Sequence, residues 1–317
     1  MARKKALIFG MSGQAGYYLS KLLVSKGYEV YGTFRNHTFR GSSDVWRHVD
    51  LSEPFENTAL ERVIVDVKPD EIYNLASSMY APASWNEPTI YMQVNAMAVT
   101  RMLESYRKVN PEGKFFQAGS ADIFDLTFQP QNEKTLKKPR TPYGVAKLAA
   151  QEMVRVYREK YGMYACTGVL FNMESPRRPK TFFTTKVAEQ VAQVARGERD
   201  HIELGRLTAV RDWGRTEEYV EAMWAMLQVP TDTPRDYVIG TGKSASCLQF
   251  VLEAMRVAEV PESKLKYEYH KEPLRQDTLH AGPDEILYDL GWRARSSWVD
   301  VVRELVEAEL GKSAVTR

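Results

Sequence analysis

The chain has 317 residues, of which 44% are hydrophobic and 26% charged, enough for a sizeable core and for two lobes. A formal net charge of only +2 gives no electrostatic basis for binding nucleic acid or an acidic membrane surface. Cys166, Cys247 and five scattered histidines fall in no metal-ligand or disulfide pattern, and no run approaches the ~20 apolar residues of a membrane span, so no metal, no membrane association, no signal peptide and a reducing, cytoplasmic setting are expected.

Lys5–Phe9 reads as a short apolar strand that runs into Gly10-Met11-Ser12-Gly13-Gln14-Ala15-Gly16 and then a helix over Tyr17–Lys26. Glycines at this spacing allow a tight turn at Gly10, close approach of a pyrophosphate at Gly13, and close helix–strand packing at Gly16, with the helix N-terminus facing the phosphates. Glu29–Thr33 is the second strand. Its end carries no acid for a ribose 2′-hydroxyl; Arg35 stands there and suits a 2′-phosphate, which predicts NADP, the alternative being a solvated surface arginine. Asp50-Leu51 follows the third strand, where the Asp can meet the adenine amine. Glu71–Ala76 is a fourth strand that enters, through Leu75 and Ala76, a loop over the cofactor.

A helix over about Asn95–Val109 leads to a fifth strand, Lys114–Ala118, which ends in Gly119-Ser120-Ala121-Asp122. Ligands of parallel α/β sheets bind at such carboxyl ends. Asp122 there is either a working carboxylate or a cap of the following turn. Next comes Thr141-Pro142-Tyr143-Gly144-Val145-Ala146-Lys147, with a helix cap at Thr141 and Pro142 at the first helical position. Tyr143 and Lys147, four apart, share one helical face. An ammonium near a phenol favours the phenolate and lowers its pKa, so this pair can move a proton to or from a sugar hydroxyl; a surface pair is the bland reading.

The helix extends to about Tyr161 and carries two apolar rows: Val145, Leu148, Ala149, Met153 and Val156, and Ala146, Ala150, Val154 and Tyr161. One buried face needs one stripe; the second suggests a partner helix across a dimer interface, or cover from the chain's own C-terminal lobe. Tyr164–Leu170 is the sixth strand. Alternating strands and helices predict an α/β fold, a Rossmann-type doubly wound parallel sheet. After Leu170 a polar, turn-rich stretch to Arg178 reads as the boundary to a smaller C-terminal α/β lobe that binds substrate. Residues 1–170 would bind the cofactor, residues 171–317 the substrate, with about 213–242 returning to the first. Within the second part the pattern gives a helix over Thr185–Ala195, a strand His201–Leu204, a turn opened by Arg211-Asp212-Trp213-Gly214, a helix from Glu217, a strand Asp236–Gly240, and a last helix near Trp298–Glu309.

Together these stretches resemble the extended short-chain dehydrogenase/reductase family, and within it the GDP-mannose 4,6-dehydratases. Ala6 through Gly16, Pro69–Leu75, Tyr164 through Arg178, Leu204-Gly205 through Arg211–Gly214, and Asp289–Trp292 carry the resemblance. It implies that Tyr143 and Lys147 are the catalytic pair and Ser120 the hydroxyl that bonds the reacting sugar oxygen. It further implies that Gly10, Gly13, Gln14, Gly16, Arg35, Asp50, Leu51, Leu75, Ala76, Tyr143 and Lys147 hold NADP. Asn172, Lys186, Arg211 and Arg275 would hold the nucleotide diphosphate, with Ser84 against the sugar. Three positions depart from the family pattern. Asp122 replaces a Glu, the loop after the second strand is shorter and points to a homodimer rather than a tetramer, and Gln276-Asp277-Thr278 follows Arg275 where the family has Pro-x-Glu. The implied activity is an NADP-dependent sugar-nucleotide 4,6-dehydratase acting on a GDP-sugar, with Asp122 the candidate base at C5 and acid at C6. An epimerase or 4-keto reductase of the same fold, or a non-catalytic NADP(H) or sugar-nucleotide binder, is the competing reading. The carboxylate at 122 weighs against the first, and the intact Ser120, Tyr143 and Lys147 against the second.

Overall fold

A computed structural model describes residues 3–35, 46–53, 58–127, 129–230, 234–268 and 278–311. The first half alternates as expected: β1 (Lys5–Phe9), α1 (Gln14–Ser25), β2 (Glu29–Phe34), β3 (Trp46–His48), α2 (Ala59–Val67), β4 (Glu71–Asn74), α3 (Pro88–Met92), α4 (Ala98–Val109), β5 (Lys114–Ala118), α5 (Pro142–Tyr161) and β6 (Tyr164–Leu170). Then follow β7 (Asn172–Glu174), α6 (Phe183–Ala195), β8 (Ile202–Leu204), β9 (Val210–Arg215), α7 (Thr216–Met226), β10 (Tyr237–Ile239), β11 (Ser244–Ser246), α8 (Cys247–Val257), β12 (Leu265–Tyr267), α9 (Asp284–Leu290) and α10 (Trp298–Leu310).

Seven strands form one parallel sheet in the order β10-β6-β5-β4-β1-β2-β3. The order reverses between β1 and β4, the switch point where such sheets open a crevice. Successive residues of each strand go to opposite faces, and both faces are buried. Ala6, Ile8, Tyr73, Phe116 and Cys166 pack beneath α1 and α7, while Leu7, Phe9, Ile72, Phe115 and Ala165 pack beneath α2, α4 and α5. A two-sided core of this kind explains why the strands read as continuous apolar runs.

A second core gathers Val187, Val191, Trp213, Phe250, Val251, Val302 and Leu305 from α6, β9, α8 and α10. Its aromatic centre is Trp213, 4.8 Å from the Phe250 ring and stacked near Phe183. Two features of this region correct the sequence reading. The Arg211–Gly214 stretch is not a turn but lies inside β9, between β7 and β11, and the polar run after Leu170 contains β7, parallel to β9 with Asn172 opposite Trp213. Short polar strands lack the apolar signal by which strands are recognised. The helix expected from Asn95 begins earlier, at Pro88, and changes pitch through one π-type turn, Gln93–Met97, between α3 and α4. Among the described residues no helix is long and apolar enough to cross a membrane.

On α5 the row Ala146, Ala150, Val154 and Tyr161 is fully buried over its first three members, while Tyr161 at its end is 49% exposed. In the other row Leu148 and Met153 pack partly on the core, while Val145 and Val156 are 46% and 36% exposed. Leu148 packs on a cluster that includes Val238, Leu279 and Ala281 of the C-terminal half.

Candidate active site

The turn between β1 and α1 is set by its glycines. Gly10 has φ +78°, and a Cβ there would sit 2.9 Å from the Cα and N of Ala76; a Cβ on Gly16 would meet Gly10 O and Met11 Cα at 2.5 Å. Glycine is required at both for steric reasons. Gly13 caps α1 and offers no side-chain acceptor to its first-turn N–H groups. An uncapped helix start beside a close backbone turn is a cradle for a pyrophosphate, so the residues present fit a dinucleotide. Arg35 is exposed just past β2, its carbonyl bonded by His48 Nε2 at 2.8 Å. Asp50 receives Ser52 N–H and Oγ–H on Oδ1, at 2.9 and 2.6 Å, and Leu51 is buried beside it. Leu75 N–H donates to Phe9 O, and Ala76 lies against Gly10.

The Gln14 side chain is held by residues 173 and 175: Nε2 donates to Met173 O at 3.0 Å, and Oε1 accepts Ser175 Oγ–H at 2.7 Å. Its backbone stays at the helix start. With the Arg177 guanidinium 3.9 Å from the Tyr17 ring centre, Gln14 ties the glycine turn to the segment after β7.

At the carboxyl end of β5, Ser120 caps a one-turn 3-10 helix, Ala121–Ile123, by accepting the Asp122 N–H at 3.2 Å. The capping role that Asp122 could have taken therefore belongs to Ser120. The Asp122 carboxylate receives only the long Ser120 Oγ–H contact, 3.4 Å to Oδ2. Burial pushes its pKa up, with Arg211 and Ser120 opposing.

α5 begins as the sequence predicts, with Thr141 Oγ accepting Gly144 N–H at 3.0 Å and Pro142 first in the helix. Tyr143 and Lys147 are both buried, at 8% and 3% exposure. The phenol lies edge-on to Tyr91, 6.2 Å between ring centres. Lys147 Nζ donates to Ala118 O at 3.0 Å and stands 5.8 Å from the Tyr143 ring centre. Here the expected direction is overturned. Burial, and then the nearby Asp122 charge, raise the Tyr143 pKa, with Ser120, Arg178 and Ser77 opposing them. Burial also lowers Lys147 to about 8. Desolvation is the largest cause for both groups.

The structure thus brings Ser120, Asp122, Tyr143 and Lys147 together, with Arg178 and Arg211 near enough for their charges to act. Arg178 was not singled out in the sequence, although it closes the stretch that carried the resemblance. It lies against buried Glu174 at 3.1 Å and donates to Met173 O. Arg211 Nη1 donates to Val210 O, and Asn172 is partly exposed on β7. Lys186 is exposed on α6 and lines an open pocket of about 610 Å³ with Gln190, Arg199, Leu204 and Tyr267. Ser84 is fully buried, its hydroxyl donating to Ala81 O at 2.6 Å. A residue in a one-turn helix satisfies its hydroxyl locally. Arg275 lies outside the described residues. Among the described residues no group of His, Cys, Asp or Glu could hold a metal.

Comparison with known proteins gives one consistent set of relatives. A family model described as GDP-mannose 4,6 dehydratase matches residues 7–305. The chain is 36% identical to GDP-mannose 4,6 dehydratase 2 of Caenorhabditis elegans, over 97% of this chain and 89% of that one. It is 40% identical to GDP-mannose 4,6-dehydratase of Vibrio cholerae, over 78% and 70%. Two solved structures share the fold at 19% identity: RMD from Pseudomonas aeruginosa complexed with NADPH, TM-score 0.81 over 98% of this chain and 100% of that one, and a Thermus thermophilus UDP-glucose 4-epimerase complex with NAD, TM-score 0.83 over the same shares.

Proposed function

We infer the reaction from the family to which this chain belongs, that of the GDP-mannose 4,6-dehydratases. The protein is an NAD(P)-dependent hydro-lyase acting on a sugar nucleotide, and we assign NADP and a GDP-linked hexose. Arg35 at the end of β2, where no acid stands, supports NADP. Gly10, Gly13, the backbone at Gln14, Gly16, Asp50, Leu51, Leu75 and Ala76 would hold the dinucleotide. When bound, its nicotinamide supplies the acceptor for the C4 hydride and the donor that returns it at C6.

The chain's own groups do the proton work. Tyr143 takes the O4 proton, with Ser120 bonding the same oxygen, and Lys147 supports the phenolate. The resulting 4-ketone acidifies C5–H, which Asp122 removes. The protonated Asp122 then gives its proton to the C6 hydroxyl, which leaves as water, and the O4 proton held by Tyr143 supplies the one that C5 takes up as C6 is reduced, so both residues end in their starting states. Asp122 carries this reading. A dehydration needs a carboxyl group beside the Ser–Tyr–Lys set that can exist in both protonation states, and burial brings Asp122 toward that condition. The test is Asp122→Asn, with GDP-mannose as probe. Ser120 still caps the 122 backbone in this variant, so the melting temperature should hold while formation of the 6-deoxy-4-keto sugar falls about 10²-fold or more. Normal product formation would return Asp122 to a structural role.

Asn172, Lys186 and Arg211 are assigned to the nucleotide diphosphate. We divide the chain at residue 170, with about 213–242 belonging to the first lobe; α7 and β10 lie on its sheet, while α6, α8 and α10 enclose the other core. Exposed Val145 and Val156 on α5, with Met97 43% exposed at the start of α4, support a homodimer through these helices. Two buried cysteines, Cys166 and Cys247, suit the cytoplasm.

A further inference from the structure

Tyr91 belongs to none of the motifs read from the sequence. It lies near the end of α3, just before the π-type turn Gln93–Met97, and both pieces pack on α5. Turns of that kind are rare and recur at functional sites. The Tyr91 side chain is 4% exposed. Its ring meets the Tyr143 ring at 6.2 Å between centres and 85° between planes, a favoured arrangement for two aromatic rings. Its hydroxyl donates to Tyr80 O at 2.6 Å. Tyr80 is held in turn. The same carbonyl accepts Ala83 N–H at 3.0 Å, and the Tyr80 ring stands edge-on to Phe182, 6.0 Å between centres. Tyr91 is thus fastened at its hydroxyl end and packs its ring on Tyr143.

We propose that Tyr91 is a positioning residue for Tyr143, holding the phenol in the orientation that reaches the sugar O4. The inference rests on Tyr143 being the base at that oxygen. A base must leave its hydroxyl available to substrate, so its ring is what the protein can hold. Thr141 and Pro142 fix only the backbone at the start of α5, and the two side-chain torsions of Tyr143 are still to be set. A reacting group has to stay within about 10–20° of its productive direction. A flat ring, itself anchored and set nearly at right angles, blocks the swings that a flexible aliphatic side chain would allow. The Tyr91 hydroxyl already has a carbonyl partner and the residue is buried, so Tyr91 acts through Tyr143 rather than on the sugar.

The experiment measures kcat and KM of the full-length protein with GDP-mannose and NADP+, for wild type, Tyr91→Leu and Tyr91→Phe, with Tyr143→Phe as reference. Rates are counted per cofactor site titrated with NADP+, so unfolded protein does not enter. Tyr91→Leu should lower kcat by about 10–10²-fold, the scale of a misplacement near ~1 Å, and leave KM for GDP-mannose unchanged. Tyr91→Phe keeps the ring, and Tyr80 O keeps its Ala83 partner, so this variant should recover most of the loss. If Tyr91→Leu takes up no NADP+, Tyr91→Met fills the space without a flat ring and gives the same readout. An unchanged kcat without the ring, a loss that appears in KM instead, or a Tyr91→Phe enzyme as slow as Tyr91→Leu overturns the role of the Tyr91 ring, while an inactive Tyr143→Phe leaves the base assignment standing. A Tyr143→Phe enzyme turning over near the wild-type rate overturns both.

Discussion

Lys147 is a charge placed where it costs stability, and the cost has a predictable pH signature. Its side chain is 3% exposed, and burial lowers its pKa from 10.5 to about 8. That difference corresponds to about 3 kcal/mol at ~1.4 kcal/mol per pH unit. The native state binds its proton more weakly than the unfolded chain does. Below pH 8 both states carry the charge and the full penalty is felt. Between about 8 and 10.5 the native state releases its proton first, so the penalty fades as pH rises; above 10.5 it is gone. Lys147→Met keeps the shape and removes the charge. It also removes the bond to Ala118 O, at about 1 kcal/mol, but that carbonyl retains Gln117 Nε2 at 2.9 Å. The cofactor-free variant should therefore be more stable than wild type by about 2 kcal/mol at pH 7. The gap should close as pH approaches 10.5. Urea unfolding of both proteins at a series of pH values measures it. A variant less stable at neutral pH, or a gap that does not change with pH, would refute the reasoning.

Two further predictions concern the cofactor and the assembly. Arg35→Ala should erase most of a preference for NADP+ over NAD+, a loss of about 1–3 kcal/mol in calorimetric binding; equal affinities in the wild type would remove the case for the 2′-phosphate. Val145→Glu combined with Met97→Glu places charge on the exposed face of α4 and α5. Light scattering at micromolar concentration should show wild type as a dimer and this variant as a monomer, and a monomeric wild type would end the proposal.

The parallel sheet was legible because both its faces are buried. Strands such as Lys5–Phe9, Lys114–Ala118 and Tyr164–Leu170 appear with the bounds their apolar runs suggested. The α5 start was legible because capping chemistry is local: Thr141 and Pro142 act on backbone within one turn. What escaped depends on residues far apart in the chain. β9 is polar on its own and becomes a strand only between β7 and β11. The Tyr143–Lys147 electrostatics were read from spacing alone; burial, invisible in spacing, reversed the direction.

The edge strand β10 has a consequence for how the chain is made. β6 pairs with β5 on one side and with β10 on the other, and 66 residues (171–236) separate Leu170 from Tyr237. At about 5–20 residues per second a ribosome takes roughly 3–13 s to cross that interval. Throughout it β6, mostly apolar, presents a row of unpaired N–H and C=O groups, the kind of edge on which other chains add strands. Nascent chains halted before residue 237 should therefore recruit chaperones and aggregate, whereas chains released past Ile239 have the strand that closes the edge.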